Sequence, residues 1–209
     1  MLRRWLASTL SRLPSQCAVC HGWQARPLCE ACIQRFAQPQ ARCRTCALPL
    51  AGGATQCGAC LRHPAPLDAC VCAVDYGYPW VDCIARFKYR QQPGWAAPLA
   101  ELLHHAPWVA PTLERCALVL PMPLSTQRLR ERGFNQALEL ARRLAPDKTD
   151  AGLLLRIRDT TPQQALGAAE RRRNVRGAFA LDPQQAHRVR GLDTVLVDDV
   201  MTSGASLHA

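Results

Sequence analysis

Residues 194–206, TVLVDDVMTSGAS, decide the fold prediction for this chain. The stretch begins with a short apolar run at residues 195–197, which is rich in β-branched side chains and typical of a buried strand in a parallel sheet. Two carboxylates, Asp198 and Asp199, follow directly, at the end of a strand where open α/β sheets bind their ligands. Adjacent carboxylates at that position can accept hydrogen bonds from a vicinal diol or hold a hydrated Mg²⁺.

The same stretch continues into a turn that is rich in hydroxyl groups. Its residues are Thr202, Ser203, Gly204, Ala205 and Ser206. The backbone N–H groups of such a turn can converge on a phosphate where a helix begins. The sequence therefore predicts a strand, a site for sugar hydroxyls and a phosphate-binding loop in one run. The alternative is an ordinary strand-to-loop junction with solvated aspartates.

The order of these parts resembles the signature for 5-phosphoribosyl-1-pyrophosphate (PRPP) in type I phosphoribosyltransferases. In that family the acidic pair holds the ribose 2′ and 3′ hydroxyls, and the loop holds the 5′-phosphate. The family's loop usually has the sequence Thr-Thr-Gly-x-Thr, so Ser203 and Ser206 depart from it while each keeps a hydroxyl group. The resemblance implies an α/β fold in which helices flank a parallel sheet.

Length and composition allow one ordinary domain and a small second one. The chain has 209 residues, of which 48% are hydrophobic and 20% are charged, as in globular proteins. Its formal net charge of +10 favours anionic partners such as nucleotides, pyrophosphate or nucleic acid. No window approaches the roughly 18 apolar residues that a membrane span needs. We therefore expect a soluble, cytoplasmic protein.

Residues 1–16, MLRRWLASTLSRLPSQ, predict an N-terminal amphipathic helix. Its leucines and Trp5 would lie near one face, and its arginines elsewhere. Because the segment has no acidic residue and several Ser, Thr and Arg residues, a membrane-surface or targeting role is the alternative. We favour a short helix that packs on its own or a neighbouring domain.

Cysteine spacing gives the second strong signal. Eight of the twelve cysteines lie in four Cys-x-x-Cys knuckles. A tetrahedral Zn²⁺ site takes two thiolates from each of two tight turns, whereas a secreted disulfide framework has no need of this repeat. Residues 17–63 therefore predict a double zinc ribbon. The sequential assignment gives one site Cys17, Cys20, Cys29 and Cys32, and the other Cys43, Cys46, Cys57 and Cys60.

Three alternatives stay open for this cysteine segment. The two sites could share their ligands in a crossed arrangement, and His21 or His63 could replace a cysteine. A thioredoxin-like redox motif would need a βαβ setting, which these Pro- and Gly-punctuated loops do not provide. Because all ligands of each proposed site are thiolates, no position remains for a catalytic water, and we interpret the zinc as structural.

Residues 67–209 alternate predicted strands and helices, as expected of an α/β domain. Residues 69–74 predict a strand that places Cys70 and Cys72 on one face as small buried side chains, with a metal-ligand role as the alternative. The isolated Cys83 and Cys116 are also predicted to be buried. Further predictions are helices over residues 79–89, 95–105 and 134–144, a strand over 116–120 and a basic loop over 127–136.

A second set of motifs narrows the resemblance. They are Pro121-Met122-Pro123-Leu124, Arg128, Arg132-Gly133-Phe134-Asn135-Gln136, Thr161-Pro162-Gln163-x-x-Leu166, Glu170-Arg171, Asn174 and Gly177-Ala178-Phe179. Together with the knuckles and the acidic loop, they are similar to the ComF family. Its ComFC and GntX-type members join an amino-terminal double zinc ribbon to a type I phosphoribosyltransferase-like domain. The resemblance covers nearly the whole chain, from Cys17 to Ser206.

This resemblance implies roles for named residues. PRPP would be held by the acidic pair and the hydroxyl-rich turn, with Mg²⁺ bridging pyrophosphate and sugar oxygens. Lys88, Arg128 and Arg132 are the candidates for the pyrophosphate, because guanidinium and ammonium groups neutralise clustered phosphate oxygens. The arginine run at residues 171–173 is another candidate, although such runs are more often solvated helix faces or nucleic-acid patches.

Three functions are compatible with this resemblance. We favour a protein that binds PRPP with Mg²⁺ and acts in DNA uptake during natural transformation, with single-stranded DNA or a competence helicase as partner. The second is an active phosphoribosyltransferase, in which a nitrogen nucleophile displaces pyrophosphate from the ribose C1 atom. The third is a zinc-ribbon module for single-stranded nucleic acid with a degenerate PRPP site. Its candidate contacts are Trp23, Arg26, Arg35, Phe36, Arg42, Arg44 and Arg62.

The sequence stops at Ala209, a few residues into the helix that we expect after the phosphate loop. We therefore expect that the C-terminal end is truncated, and that the rest of this helix and any later strand are missing. A helix this short is not stable alone, and its dipole at the phosphate would be weak. No string of residues identifies the acceptor of a transfer reaction.

Overall fold

A computed structural model of the chain describes residues 15–64, 66–159 and 174–201. Residues 1–14 of the predicted N-terminal helix lie outside the described residues, and Ser15–Gln16 form a short strand. The hydroxyl-rich turn at residues 202–206 and the arginine run at residues 171–173 also lie outside them. These three predictions therefore stay predictions.

The described residues form short strands and helices in alternation. The strands are β1 (Ser15–Gln16), β2 (Trp23–Gln24), β3 (Leu118–Pro121), β4 (Leu154–Arg156), β5 (Phe179–Leu181) and β6 (Thr194–Val197). The α-helices are α1 (Glu30–Phe36), α2 (Gly58–Arg62), α3 (Trp80–Tyr89), α4 (Ala96–His105), α5 (Val109–Arg115), α6 (Thr126–Arg132) and α7 (Gln136–Leu144). Short 3₁₀ turns lie at Pro93–Trp95, Pro146–Lys148 and Ala186–Val189.

The strand that precedes the acidic pair belongs to a small parallel sheet, as predicted, but only Val197 of its four residues is buried. β3 and β6 run side by side, with Val119 opposite Val195 and Pro121 opposite Val197. Thr149 forms an isolated parallel bridge with Val119. All four residues of β3 are buried, which explains why this strand is an uninterrupted apolar run. The carboxyl ends of β3 and β6 therefore lie at the same end of the sheet.

A second strand pair packs against this sheet. β4 and β5 are antiparallel, with Leu154 opposite Leu181 and Arg156 opposite Phe179. Leu154 and Leu181 pack against a small apolar cluster that includes the buried Leu120 of β3. This packing brings the end of β4 close to the ends of the parallel strands.

The main hydrophobic core lies between the parallel sheet and helices α3, α4 and α7. Trp80 and Phe87 of α3 are almost fully buried there, together with Leu99 of α4 and Leu140 of α7. Leu28, from the cysteine segment, is buried in the same core. The cysteine segment is therefore packed against the helices at this point, in addition to being connected to them through the chain.

The predicted strand over residues 69–74 is wrong. These residues, all of which the structure describes, are not part of any strand. The Cys70 N–H group instead donates to the carbonyl oxygen of Arg44 at 2.7 Å. This segment is therefore hydrogen-bonded to the cysteine segment and not to the edge of a sheet. Cys70 and Cys72 are only partly buried. Cys83 and Cys116 are buried, as predicted.

The predicted basic loop is largely helical. The Ser125 hydroxyl caps α6 by accepting the N–H of Arg128 at 3.3 Å. Gly133 ends the helix in the left-handed conformation, with a φ of 78°. The Asn135 side chain then caps α7, so the next helix begins at Gln136. Both caps are local sequence signals that the prediction of a loop overlooked.

The other predicted helices agree with the structure. The helix predicted over residues 79–89 is α3, and the one predicted over residues 95–105 is α4. His104 and His105 form the last turn of α4. α3 and α4 have 10 residues each. No helix in the described part of the chain has the length and apolar character to cross a membrane.

Candidate functional site

The eight knuckle cysteines converge in two sequential sets and not in a crossed arrangement. In each set the four sulfur atoms lie within 4.8 Å of one another, and all eight cysteines are free thiols. Neither His21 nor His63 belongs to a set. The first set is Cys17, Cys20, Cys29 and Cys32, and the second set is Cys43, Cys46, Cys57 and Cys60.

The first set combines a tight turn with the start of a helix. The Cys17 N–H donates to the Gly22 carbonyl at 2.9 Å, and His21 within this turn has a φ of 61°. On the other side, the Cys29 sulfur caps α1 by accepting the N–H of Cys32 at 3.3 Å. The turn and the helix cap each present two thiols toward a common point.

The second set repeats this construction. The Cys43 N–H donates to the Leu48 carbonyl at 2.8 Å, and Ala47 within the turn has a φ of 55°. The Cys57 sulfur caps α2 by accepting the N–H of Cys60 at 3.5 Å. Because the two sets share one local architecture, the four knuckles form a tandem repeat of one structural unit.

Backbone N–H groups stabilise a thiolate at one position of each set. Burial alone would raise the pKa of the Cys17 thiol. Hydrogen bonds from the backbone N–H groups of Cys20, Val19 and Cys29 outweigh that effect and lower this pKa to about 6. The pKa of Cys43 is lowered to about 6 in the same way, against the effect of burial. The thiolate is the form of cysteine that binds Zn²⁺.

The spacing of the sulfur atoms fits a tetrahedral zinc ion. Four sulfurs at about 2.3 Å from Zn²⁺ lie about 3.8 Å from one another at tetrahedral angles. The sulfurs of Cys20 and Cys29 are 3.7 Å apart, and those of Cys46 and Cys57 are also 3.7 Å apart. The two sets could therefore hold two zinc ions, and four thiolates per ion leave no position for a catalytic water.

The second feature of interest is a cavity of about 90 Å³ at the carboxyl ends of β3 and β6. The acidic pair and all three predicted pyrophosphate contacts line it, although they come from distant parts of the sequence. Its lining consists of Lys88, Met122, Pro123, Leu124, Arg128, Arg132, Asn135, Gln136, Ala137, Arg156, Phe179, Asp198, Asp199 and Val200. The cavity thus combines four cationic side chains with two carboxyl groups.

Lys88 and Asp199 form a buried ion pair in this cavity. Lys88 Nζ lies 2.7 Å from Asp199 Oδ1, and the two side chains are only 16% and 6% exposed. The other carboxylate oxygen, Asp199 Oδ2, is buried and has no hydrogen-bond donor among the described residues. A buried acceptor without a donor is costly. This oxygen is therefore suited to a donor on a bound molecule.

The Asp198 carboxyl group lies in a different environment from that of Asp199. It is surrounded by protein atoms, although the residue as a whole is only partly buried. Burial and, after it, the charge of Asp199 raise the pKa of Asp198 to about 7, against the opposing effect of Lys88. The Asp199 N–H donates to Asp198 Oδ1 at 2.8 Å. The Asp198 carboxyl therefore changes its charge near neutral pH.

Three arginines line the cavity beside the acidic pair. Arg132 Nη1 donates to Gln136 Oε1 at 3.0 Å. Burial, followed by the positive charge of Arg132, lowers the pKa of Arg128. The Arg156 guanidinium lies 5.2 Å from the centre of the Phe179 ring, and burial, followed by the charge of Arg128, lowers its pKa. The three cations repel one another, so a polyanion would be stabilised among them.

Arg156 is a cavity residue that is not among the candidates predicted from the sequence. This arginine ends β4 directly after an apolar run of leucines at residues 153–155. The same change from apolar run to charge marks the end of β6, so a signal was present. Phe179, which lies opposite Arg156 across the strand pair, entered the sequence analysis only as part of a family motif.

The string Arg-Gly-Phe-Asn-Gln forms the corner between α6 and α7. Phe134 packs against Phe87 of α3, with ring centres 5.4 Å apart. Asn135 caps α7 and also donates from Nδ2 to the carbonyl of Met122 at 3.0 Å, which fixes the loop that follows β3. Gln136 lines the cavity. The string therefore anchors one wall of the cavity to the main core.

Several known proteins are similar to the chain over most of its length. The DNA utilization protein YhgH of Salmonella typhimurium is 33% identical over 186 residues, which cover 86% of this chain and 80% of the relative. Competence protein F of Haemophilus influenzae is 31% identical over 189 residues, which cover 87% of this chain and 81% of the relative. The chain belongs to the ComF family.

A further relative shows a similar degree of identity to the chain. The DNA utilization protein YhgH of Escherichia coli (strain K12) is 30% identical over 187 residues, which cover 86% of this chain and 80% of the relative. No family model matches the chain. No solved structure matches it either. The ComF assignment therefore rests on the relatives, and the two Cys₄ sets are in keeping with it.

We expect each Cys₄ set to bind its own zinc ion. Cys17→Ser and Cys43→Ser should each reduce the zinc content from two ions per chain to one, because a hydroxyl group replaces a thiolate ligand. Plasma emission spectroscopy on the purified variants measures the zinc content. Cys72→Ser, which changes a cysteine outside both sets, should keep both ions. Unchanged zinc in Cys43→Ser would overturn the ligand assignment.

The raised pKa of Asp198 predicts that stability falls as the pH rises. Its folded-state value of about 7 exceeds the ordinary 3.8, so the folded protein binds this proton more tightly and loses stability between these two pH values. Each pKa unit corresponds to about 1.4 kcal/mol. Asp198→Asn should therefore gain stability relative to the native protein between pH 5 and pH 8, as measured by urea unfolding. A constant difference across this range would contradict the assignment, and the exposed Asp193→Asn serves as the control.

Proposed function

We propose that this ComF-family protein binds PRPP with Mg²⁺ in the cavity at the ends of β3 and β6, and that it acts in DNA uptake. The observation that carries the ligand assignment is the presence of four cationic side chains and two carboxyl groups around one small cavity. PRPP has matching groups: its ribose hydroxyls can donate to the carboxyl groups, and its clustered phosphate charges can be neutralised by the cations. The DNA-related role is supported by the names of the relatives, a DNA utilization protein and a competence protein.

The acidic pair is suited to the ribose part of PRPP. Asp199 Oδ1 is bound to Lys88, whereas Asp199 Oδ2 is a buried acceptor without a donor in the part of the chain that the structure describes. A ribose hydroxyl supplies the missing donor, and Asp198 beside it offers a second carboxyl group for the neighbouring hydroxyl. Lys88 neutralises the charge that this pair would otherwise bring into a buried site.

The phosphate groups of PRPP would be bound by two different parts of the chain, as the resemblance implies: the 5′-phosphate by the hydroxyl-rich turn and the pyrophosphate by cationic side chains. The hydroxyl-rich turn at residues 202–206 follows Met201 directly, and Val200 lines the cavity, which supports a role for this turn in binding the 5′-phosphate. Arg128, Arg132 and Arg156 would neutralise the pyrophosphate. Asp198 and Asp199 would offer oxygen ligands to Mg²⁺, which would neutralise part of the phosphate charge when bound.

The phosphoribosyltransferase alternative adds a chemical step to this binding site. A nitrogen nucleophile would form a bond to the ribose C1 atom, and the C1–O bond to pyrophosphate would break, with both electrons leaving on the pyrophosphate oxygen. The nucleophile would then lose its proton to solvent. The protein would position PRPP and neutralise the leaving group. Release of pyrophosphate in the presence of an acceptor distinguishes this alternative from binding alone.

We infer a double zinc ribbon over residues 17–63 and a phosphoribosyltransferase-like domain over residues 67–209. Single-stranded DNA or a competence helicase would be the macromolecular partner. The cytoplasm is the proposed compartment, because none of the twelve cysteines is in a disulfide, as expected of a reducing environment.

Calorimetric titration of PRPP with Mg²⁺ tests the proposal directly. The native protein should give saturable binding, and the double variant Asp198→Asn/Asp199→Asn should bind at least about tenfold more weakly, because it loses charged hydrogen-bond acceptors. Asp193→Asn, an exposed residue just before β6, is the control for the same chemical change and should bind as the native protein does. Absence of binding by folded native protein that contains zinc would contradict the proposal.

A second candidate function, binding of single-stranded nucleic acid, is supported by an aromatic stack at the end of α1, in which Tyr78 is exposed and Phe36 is half-buried. Tyr78 is 76% exposed and packs edge-on against Phe36, with ring centres 5.7 Å apart. The Arg35 guanidinium lies 5.2 Å from the centre of the Phe36 ring. Trp80 Nε1 donates to the Phe36 carbonyl at 3.2 Å, which holds the stack on the main core. Bases of a single strand stack on exposed rings of this kind.

The other residues predicted to contact nucleic acid divide into two cations that form ion pairs and three side chains that are exposed. Arg26 and Arg42 form ion pairs, each at 2.8 Å, with Glu101 and Asp75 respectively. Arg44, Arg62 and Trp23 are exposed, and Trp23 has 74% of its surface accessible. Two of the predicted cations are therefore already neutralised by the protein. This observation favours the aromatic stack as the contact surface.

Titration of fluorescent oligothymidylate at several salt concentrations tests the second function. Tyr78→Ala should weaken binding about fivefold or more, because stacking contributes about 1–3 kcal/mol per base. Trp108→Ala removes an aromatic side chain of similar exposure (73%) that does not contact the stack and should leave binding unchanged. Affinity that does not fall as salt rises would exclude a binding mode dominated by phosphate contacts.

A further inference from the structure

Gln136 carries an unused hydrogen-bond donor in the cavity. It is the first residue of α7, lines the cavity and is 1% exposed. Its Oε1 accepts a hydrogen bond from Arg132 Nη1 at 3.0 Å. Its Nε2 is buried and has no acceptor among the described residues. A fully buried amide with one end bonded and the other end unpaired needs an explanation.

The orientation of this amide is fixed by chemistry. An arginine guanidinium donates hydrogen bonds and cannot accept them. The end of the Gln136 amide that faces Arg132 must therefore be the oxygen. Exchanging the two ends of the amide would place two donors against each other, so the unpaired group is the N–H₂ group.

The surroundings of this donor favour an anion. Gln136 and Ala137 form the first turn of α7, where backbone N–H groups have no partner within the helix and the helix dipole is positive. Both residues line the cavity, as does Arg128, whose side chain is not hydrogen-bonded to any described residue. Gln136 Nε2, the backbone N–H groups of this turn and the Arg128 guanidinium therefore all favour an anion on this side of the cavity.

We propose that Gln136 is a ligand-binding residue whose Nε2 donates to a phosphate-class oxyanion at the N-terminus of α7, and that Arg132 is the positioning residue that orients it. This inference rests on the proposed function, because it names the wall of the cavity that would bind the pyrophosphate of PRPP. It also changes the role of Arg132, which the sequence analysis treated only as a direct pyrophosphate contact. The acidic pair then recognises hydroxyl donors, and Gln136 recognises phosphate acceptors.

The test compares three ligands by calorimetry in the presence of Mg²⁺: PRPP, inorganic pyrophosphate and ribose 5-phosphate. Gln136→Glu keeps the side-chain shape and the acceptor for Arg132 but replaces the donor by a negative oxygen. It should weaken PRPP and pyrophosphate binding about 10- to 100-fold, the range for a hydrogen bond to a charged group. Ribose 5-phosphate, which has no pyrophosphate, should bind this variant and the native protein equally.

Gln127→Glu is the matched control. It introduces the same change of charge in α6, and its side chain does not line the cavity. It should bind all three ligands as the native protein does. Gln136→Met, which removes the donor without adding charge, is the second variant if Gln136→Glu does not fold, as judged by zinc content and thermal unfolding. It should show the same selective loss of PRPP and pyrophosphate binding.

The outcomes separate this inference from the proposed function. Equal binding of PRPP by the native protein and the Gln136 variants overturns the inference and leaves the proposed function in place. Pyrophosphate binding that depends on Gln136, in a protein that does not bind PRPP, overturns the proposed function and supports the inference. Equal loss of ribose 5-phosphate and pyrophosphate binding shows a structural role for Gln136 and overturns the inference. A native protein that binds neither PRPP nor pyrophosphate overturns both.

Discussion

The parallel pairing of β3 with β6 is the constraint on which the cavity depends. Parallel neighbours end at the same end of a sheet, so the loop after β3 and the acidic pair after β6 must meet. The Met122 N–H donates to the Val197 carbonyl at 2.9 Å and extends this pairing beyond the last residue of β3. Because β3 is buried throughout, a shift of one residue in register would expose apolar side chains and displace both loops.

Charge balance is the second constraint on this site. A buried carboxylate is costly unless a cation or a hydrogen-bond donor accompanies it. The cations come from three other elements: Lys88 from α3, Arg128 and Arg132 from α6, and Arg156 from β4. The protein does not complete the balance, since Asp199 Oδ2 and Gln136 Nε2 both lack partners among the described residues. Buried polar groups without hydrogen-bond partners lower the stability of the fold, and they are typical of sites that bind a ligand.

The two cysteine sets are built alike but are integrated differently. The first set lies beside the main core, into which Leu28 is inserted and against which Val19 and Ile33 pack. The second set forms a small cluster of its own thiols with Leu50, too small to fold by burial alone. Structural zinc contributes about 10–16 kcal/mol in small sites of this kind, so a zinc ion bound at this set would supply the stability that burial does not. The sulfur of Cys70, which follows this set in the chain, lies 3.5 Å from the sulfur of Met201, the residue that precedes the hydroxyl-rich turn in the sequence.

The sequence by itself determined the features that depend on short, local spacing. The Cys-x-x-Cys knuckles, the strand before the acidic pair and the amphipathic helices α3 and α4 follow from neighbours in the chain, and all could be predicted. Only the tertiary structure decided which knuckles share a site and which cations meet the acidic pair, because Lys88, Arg156 and Asp199 come from distant segments. The segment at residues 69–74 has strand-like composition, yet the Cys70 N–H pairs with the Arg44 carbonyl, a partner that no local pattern specifies. Local composition can favour a strand, but the strand forms only where packing brings a suitable hydrogen-bond partner within reach.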